Sequence, residues 1–182
     1  MTLWTHLAQY SFLQTPRLHL RPPLITDLEF FHALAHDPEN VVYIFPAQET
    51  LDESLVLWTH AFLKNPLGTW VLEDSHAGHL IGVIRLEKIQ EMSAEAEVGY
   101  FLDKRYWGQG LMAEALEALS QILLVPEGFQ TLILQAHLEN KASQRVAEKA
   151  GFSLYRQFKG SDRYTRKMRD YVEFRRKRGA DE

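Results

Sequence analysis

The sharpest pattern in the chain is a stripe. Leu111, Ala115, Leu116, Leu119, Ile122 and Leu123 recur at spacings of three and four, while Glu114, Glu117 and Gln121 fall on the other side. This is the period of an amphipathic helix, predicted over 111–125 and stopped by Pro126 and Gly128. Arg17 to Arg21 alternates with period two and reads as a strand that ends at Pro22-Pro23. Thr26 or Asp27 is placed to cap a helix with Leu28, Phe31, Leu34 and Ala35 on its apolar side, ended by Pro38. Tyr43 to Pro46 is an aromatic loop. Thr50 with Glu53 has capping-box spacing before a helix carrying Leu51, Leu55, Trp58 and Phe62 along one side.

The apolar runs 69–72, 79–89 and 94–102 read as strands, as do 131–138, 154–158 and 168–174. Asn140 to Ala150 is a short helix closed by Gly151. Runs of strands mixed with helices predict an α+β fold, a central mixed sheet with helices on both faces. One domain over 1–182 is expected, with 1–14 as an N-terminal arm and 175–182 as a basic C-terminal tail.

Composition acts mainly by exclusion. Apolar residues make up 46% of the chain and charged ones 24%, the profile of a globular domain. A net charge of −4 gives no reason to expect nucleic acid or an anionic membrane as partner. The absence of cysteine removes disulfides, thiolate catalysis and Cys-type zinc sites, and fits a cytoplasmic location. No apolar run spans a bilayer, and Met1 to Leu13 lacks the basic start of a signal peptide. His32 and His36 share a helix face, but no third ligand accompanies them, so no metal is expected.

Candidate chemistry concentrates at Arg105-Tyr106-Trp107-Gly108-Gln109-Gly110, between the strand ending at Leu102 and the helix opening at Leu111. Helix-start N–H groups lack intrahelical partners and carry the positive end of the dipole, so a glycine-rich approach to them suits a phosphate. Gly108 to Ala113 also matches the dinucleotide pattern G-x-G-x-x-A. Against that reading, Asp103 to Trp107 separate the turn from its strand, and no acid closes a strand about twenty residues later. A G-x-x-x-x-G-K-[ST] loop is absent.

The order of segments resembles the GNAT superfamily of acetyl-CoA-dependent N-acyltransferases, and within it the ribosomal-protein-alanine N-acetyltransferase branch. The resemblance runs through Thr15 to Pro22, Ile81 to Ile84, Ala96 to Leu102, Tyr106 to Leu116, Asn140 to Ser143, Glu148 to Phe152 and Arg169 to Tyr171. It implies that Arg105, Tyr106, Trp107, Gly108, Gln109, Gly110 and Leu111 wrap the CoA pyrophosphate. Backbone groups of Tyr100, Phe101 and Leu102, freed where this strand splays from 131–138, would bind the pantetheine arm. Asn140 would lie near that arm and Ser143 near the sulfur.

An amine attacks only when neutral, and Glu97 is the expected general base that takes its proton. Many family members have a tyrosine four residues before the Gly-Phe pair, as acid to the thiolate. Here that residue is Ala147, and Ser143 matches the serine used by the ribosomal branch. Tyr155 replaces that branch's frequent glutamate, and Lys141, Arg145 and Lys149 either meet a CoA phosphate or form a solvated face.

The resulting expectation is an N-acetyltransferase acting on a protein N-terminus or a small-molecule amine in a ternary complex, without metal, as monomer or homodimer. A CoA-binding module without turnover is the alternative. Loops near Tyr43 and Arg163 are expected to select the acceptor.

Overall fold

A computed structural model describes residues 2–180. Eight strands form one mixed sheet in the order β1-β2-β3-β4-β5-β6-β8-β7. They are β1 (Leu13–Gln14), β2 (Leu18–Arg21), β3 (Thr69–Asp74), β4 (Leu80–Gln90), β5 (Glu95–Leu102), β6 (Thr131–His137), β7 (Ser153–Ser161) and β8 (Met168–Lys177). The β5–β6 pair is parallel; β1–β2, β2–β3, β3–β4, β6–β8 and β7–β8 are antiparallel. Six α-helices accompany them among the described residues: α1 (Leu3–Gln9), α2 (Leu28–His36), α3 (Pro38–Val41), α4 (Leu51–Leu57), α5 (Leu111–Leu123) and α6 (Lys141–Lys149).

The chain gathers into two compact units. One comprises Leu7–Arg85 and Tyr100–Leu111. Its core is aromatic: Phe31 lies 4.6 Å from Trp58 and 5.7 Å from Phe62, and Phe45 and Phe101 meet edge to face at 5.5 Å. Burying such rings removes large apolar areas from water, and the tilted contacts suit their quadrupoles. Gly82 is required by close approach, because a Cβ there would stand 2.6 Å from the Phe101 carbonyl oxygen.

Several expectations change in this unit. Asp27 does not cap α2. Its carboxylate instead accepts the Leu24 N–H at 2.8 Å and takes both terminal nitrogens of Arg21, at 2.9 and 2.6 Å, while Arg21 Nε donates to Glu73 at 2.6 Å. Pro38 opens α3, with Asp37 as its cap, instead of only closing α2. Thr50 does cap α4, accepting from Glu53 N–H. The stripe expected from Leu51 to Phe62 breaks, however, because the chain widens into a π-helical turn over Trp58–Leu63. Trp58 and Phe62 turn into the core and Leu51 and Leu55 stay exposed.

The second unit comprises Met1–His6, Leu86–Gly99 and Met112–Glu182. The α5 stripe buries Ala115, Leu116, Leu119 and Leu123, as its period requires. Gly151 ends α6 at φ +79°, a left-handed turn. The residues expected to start a solvated basic tail belong to β8 instead. Arg176 is buried and donates to Glu117 at 2.7 Å and to the Ala150 carbonyl at 2.8 Å. Arg175 lies over the Tyr155 ring at 3.7 Å. Asp181 and Glu182, the end of that expected tail, lie outside the described residues, as does Met1 of the expected arm. The rest of the arm forms α1 and β1.

Candidate active site

The glycine turn lies in the first unit and is locally over-determined. Asp103 opens a 3-10 turn over Lys104–Tyr106 by accepting the Arg105 N–H, and its carboxylate also grips the Arg105 guanidinium at 2.7 Å. Burial pushes the Asp103 carboxyl up, but the hydrogen bonds and charge of Arg105 outweigh it and leave the group below its usual range. Arg105 is therefore committed to shaping the turn. The N–H groups of Tyr106 and Trp107 are spent on the carbonyls of Asp103 and Lys104.

Trp107 donates its ring N–H to the Leu102 carbonyl at 2.8 Å. That oxygen, expected to be free for a ligand, is already engaged. Gly108 and Gly110 follow at φ +73° and +76°, and a Cβ at Gly108 would meet nothing within 4 Å. The N–H groups of Gly108, Gln109 and Gly110 have no protein acceptor among the described residues. Arg17, read from sequence only as a strand residue, pins the turn through Nη1 to the Gln109 carbonyl at 2.8 Å. Three such N–H groups leading into the first turn of α5 have the chemistry to take an anion.

Glu97, Asn140 and Ser143 lie in the second unit. The parallel register of β5 and β6 runs from Glu95↔Thr131 through Ala96↔Leu132 to Glu97↔Ile133. From there β6 keeps pairing with β8 as far as His137↔Tyr171, whereas β5 departs, which is the expected splay. Glu97 thus stands at the last paired position. Its side chain is 22% exposed and accepts from Lys88 Nζ at 2.9 Å. Lys88 sits inside β4 at φ +49°, unusual for a residue with a side chain.

Asn140 caps α6, its Oδ1 accepting the Ser143 N–H at 3.2 Å. Ser143 is half-buried in the first turn. Ala147 is fully buried, so a tyrosine could not occupy that position without repacking. Lys141, Arg145 and Lys149 are exposed. His32 and His36 are held by Ser54 Oγ and the Gln48 carbonyl, and no group of three metal-ligating side chains occurs among the described residues.

Besides the Arg17 contact, Lys88–Glu97 and Arg163–Glu87 escaped the sequence reading. The second joins residues 76 apart at 3.4 Å. No local pattern signals either.

A family model described as "Acetyltransferase (GNAT) domain" matches residues 17–153. The chain belongs to the GNAT acetyltransferase family. Members are acetyl-CoA-dependent N-acetyltransferases, and this chain is one of them. The ribosomal-protein-serine acetyltransferase of Escherichia coli is 35% identical over 75 residues, covering 41% of this chain and 42% of that protein. A GNAT-family acetyltransferase structure from Bacillus anthracis superposes with a TM-score of 0.81 at 22% identity, covering 94% of this chain and 99% of that one. The microcin C7 self-immunity acetyltransferase MccE, solved with acetyl-CoA and AMP, gives 0.80 at 16% identity, covering 90% and 93%.

Proposed function

We propose that the chain transfers the acetyl group of acetyl-CoA directly to a primary amine, with Glu97 as general base and Ser143 as donor to the departing sulfur. The observation that carries the reading is the glycine turn. Two left-handed glycines and three backbone N–H groups without protein acceptors lead into α5, which suits the CoA pyrophosphate. Tyr106, Trp107 and Arg105 serve that site by holding its shape, while Gly108, Gln109, Gly110 and Leu111 supply backbone donors. The pantetheine arm belongs with the backbone of Tyr100, Phe101 and Leu102.

The step is a balanced exchange. The neutral amine nitrogen forms a bond to the thioester carbonyl carbon, its proton passes to the Glu97 carboxylate, and the carbon–sulfur bond breaks. The thiolate is a fair leaving group, comparable to a model thiol of pKa about 8.5, so one hydroxyl donor is adequate where Ala147 offers none. A backbone N–H in β5 polarises the carbonyl, as an oxyanion donor does. The acceptor is a small amine or a protein N-terminus, and the chain works in the cytoplasm.

The deciding experiment measures free CoA thiol released from acetyl-CoA across a panel of amines and N-terminal peptides. Acceptor-dependent release that is lost in Glu97→Gln supports the reading. CoA binding with no acceptor-dependent release from any amine sinks it.

A further inference from the structure

The glycine turn is anchored at both ends by side chains from distant parts of the first unit. At its start, the buried Asn40 accepts the Lys104 N–H through Oδ1 at 2.7 Å. At its far end, Arg17 Nη1 donates to the Gln109 carbonyl at 2.8 Å, across 92 positions of sequence. Nη2 of the same guanidinium lies 3.6 Å from where a Cβ on Gly110 would stand. The guanidinium therefore flanks the peptide that joins Gln109 to Gly110.

That peptide is trans, so its C=O and N–H lie in one plane and point in opposite directions. Holding the Gln109 carbonyl toward Arg17 directs the Gly110 N–H away from it. This N–H is one of the three donors that have no protein acceptor among the described residues. Glycine accepts φ of either sign, so the peptide before Gly110 can rotate by half a turn at little local cost. After such a rotation a carbonyl oxygen would stand where the donor was, and that oxygen would repel a phosphate.

Arg17 is placed to resist the rotation. Its own carbonyl accepts the Ser75 N–H at 3.1 Å, and the adjoining Thr15 and Leu18 exchange two bonds, at 2.9 and 3.1 Å. The backbone that launches the side chain is thus fixed independently of the turn. The residue itself is exposed, so it adds little to the core.

Resting on the reading that the glycine turn takes the CoA pyrophosphate, we propose that Arg17 is a positioning residue for the cofactor. It acts through the Gln109–Gly110 peptide, keeping the Gly110 N–H turned toward the diphosphate. Without that bond the turn spends part of its time with the oxygen outward. Apparent affinity then falls in proportion to the fraction that stays competent. Lysine can give one N–H to the same carbonyl and retains part of the effect, whereas methionine gives none.

The test combines calorimetry of CoA binding with heteronuclear NMR of the glycine amides in the full chain. In the parent, saturating CoA should move the Gly108 and Gly110 amide protons downfield, as donation to a phosphate does. Arg17→Met should weaken CoA binding by about tenfold or more, and should lose the Gly110 shift while keeping that of Gly108. Arg17→Lys should fall between the two. Melting temperatures establish that the variants are folded, and Arg17→Lys, the smaller change, carries the same readouts if Arg17→Met is not. A Gly110 shift retained in Arg17→Met overturns the proposal, whatever the affinity, and leaves the cofactor reading standing. Loss of both glycine shifts together also overturns it and makes Arg17 a general support of the turn. CoA that binds the parent without moving either glycine overturns the cofactor reading of the turn, and this proposal with it.

Discussion

Glu97→Gln tests the proposed chemistry with the least disturbance of shape. Near pH 7 an alkylamine of pKa about 10.4 is neutral in roughly one molecule in 2,500, and an α-amine of pKa about 8 in roughly one in ten. A base that takes the proton contributes typically 10²- to 10⁴-fold, and turnover should fall by that factor at pH 7 while CoA binding persists. Raising the pH to 9 increases the neutral alkylamine about 100-fold, and an α-amine about tenfold, so the deficit should shrink.

Lys88 sharpens the test, because its contact with Glu97 must give way before the carboxylate receives a proton. The contact is 2.9 Å long but the lysine is largely exposed. Such a pair is worth about 0.2–1 kcal/mol. Removing it should therefore raise kcat/KM by no more than about fivefold. Lys88→Asn is the suitable change, since asparagine tolerates the left-handed backbone. The assay is initial-rate release of CoA thiol across pH 6.5–9.5 for parent and variants. A Glu97→Gln enzyme with parental turnover at pH 7 would refute the assignment. A tenfold loss in Lys88→Asn would show that the lysine takes part in the reaction instead of shielding its base.

Gly110→Val forces a branched residue into φ +76°, and should abolish the CoA-dependent rise in melting temperature, worth about 2.7 kcal/mol at a hundredfold ligand excess over Kd. Ser143→Ala should lower kcat and kcat/KM together with little change in CoA affinity; a parental kcat with a lowered melting temperature would reduce it to a helix residue. Asp27→Asn leaves Arg21 without its bidentate partner and should cost about 3–5 kcal/mol in chemical denaturation, whereas a loss below 1 kcal/mol would contradict the buried pairing. Burial pushes the Glu173 carboxyl up, but bonds from Arg175, Gln135 and Arg156 together hold it below the usual range. A depressed carboxylate stabilises above its unfolded pKa and loses that contribution as pH falls through its folded value. Glu173→Gln should therefore narrow the stability difference from the parent below about pH 4, as read from urea midpoints.

Periodicity made most of the fold legible. The α5 stripe, the Thr50 cap, the Gly151 stop and the alternation of β5 each express a local rule that one chain segment satisfies alone. The misreadings arose where a local rule lost to a distant partner. Asp27 has ideal cap spacing, yet it turns back to Arg21, because its buried carboxylate needs a cationic partner more than a helix start needs one acceptor. The Arg175 to Arg178 run looks like a solvated tail until Glu173 and Glu117 are seen to hold its first members in β8. Trp58 left the expected stripe because the π-helical turn changes the angle between successive residues, which no heptad-like count anticipates.

The candidate site divides along the same line. Gly108 and Gly110 announce themselves, since a backbone that must stay open and left-handed leaves a compositional trace. Glu97 was legible as a residue on an alternating strand, but not its partner. The left-handed Lys88 that brings a lysine to that carboxylate is written in no residue preference, because lysine there is locally unfavourable. A local cost tolerated beside the proposed base is what a functional constraint would produce. On this argument the Lys88–Glu97 pair differs from ordinary surface ion pairs, which are interchangeable and carry no backbone cost. Lys88→Asn relieves part of that cost, so it should hold or raise the melting temperature. A fall of several degrees would mean that the lysine is kept for the fold and not for the acceptor.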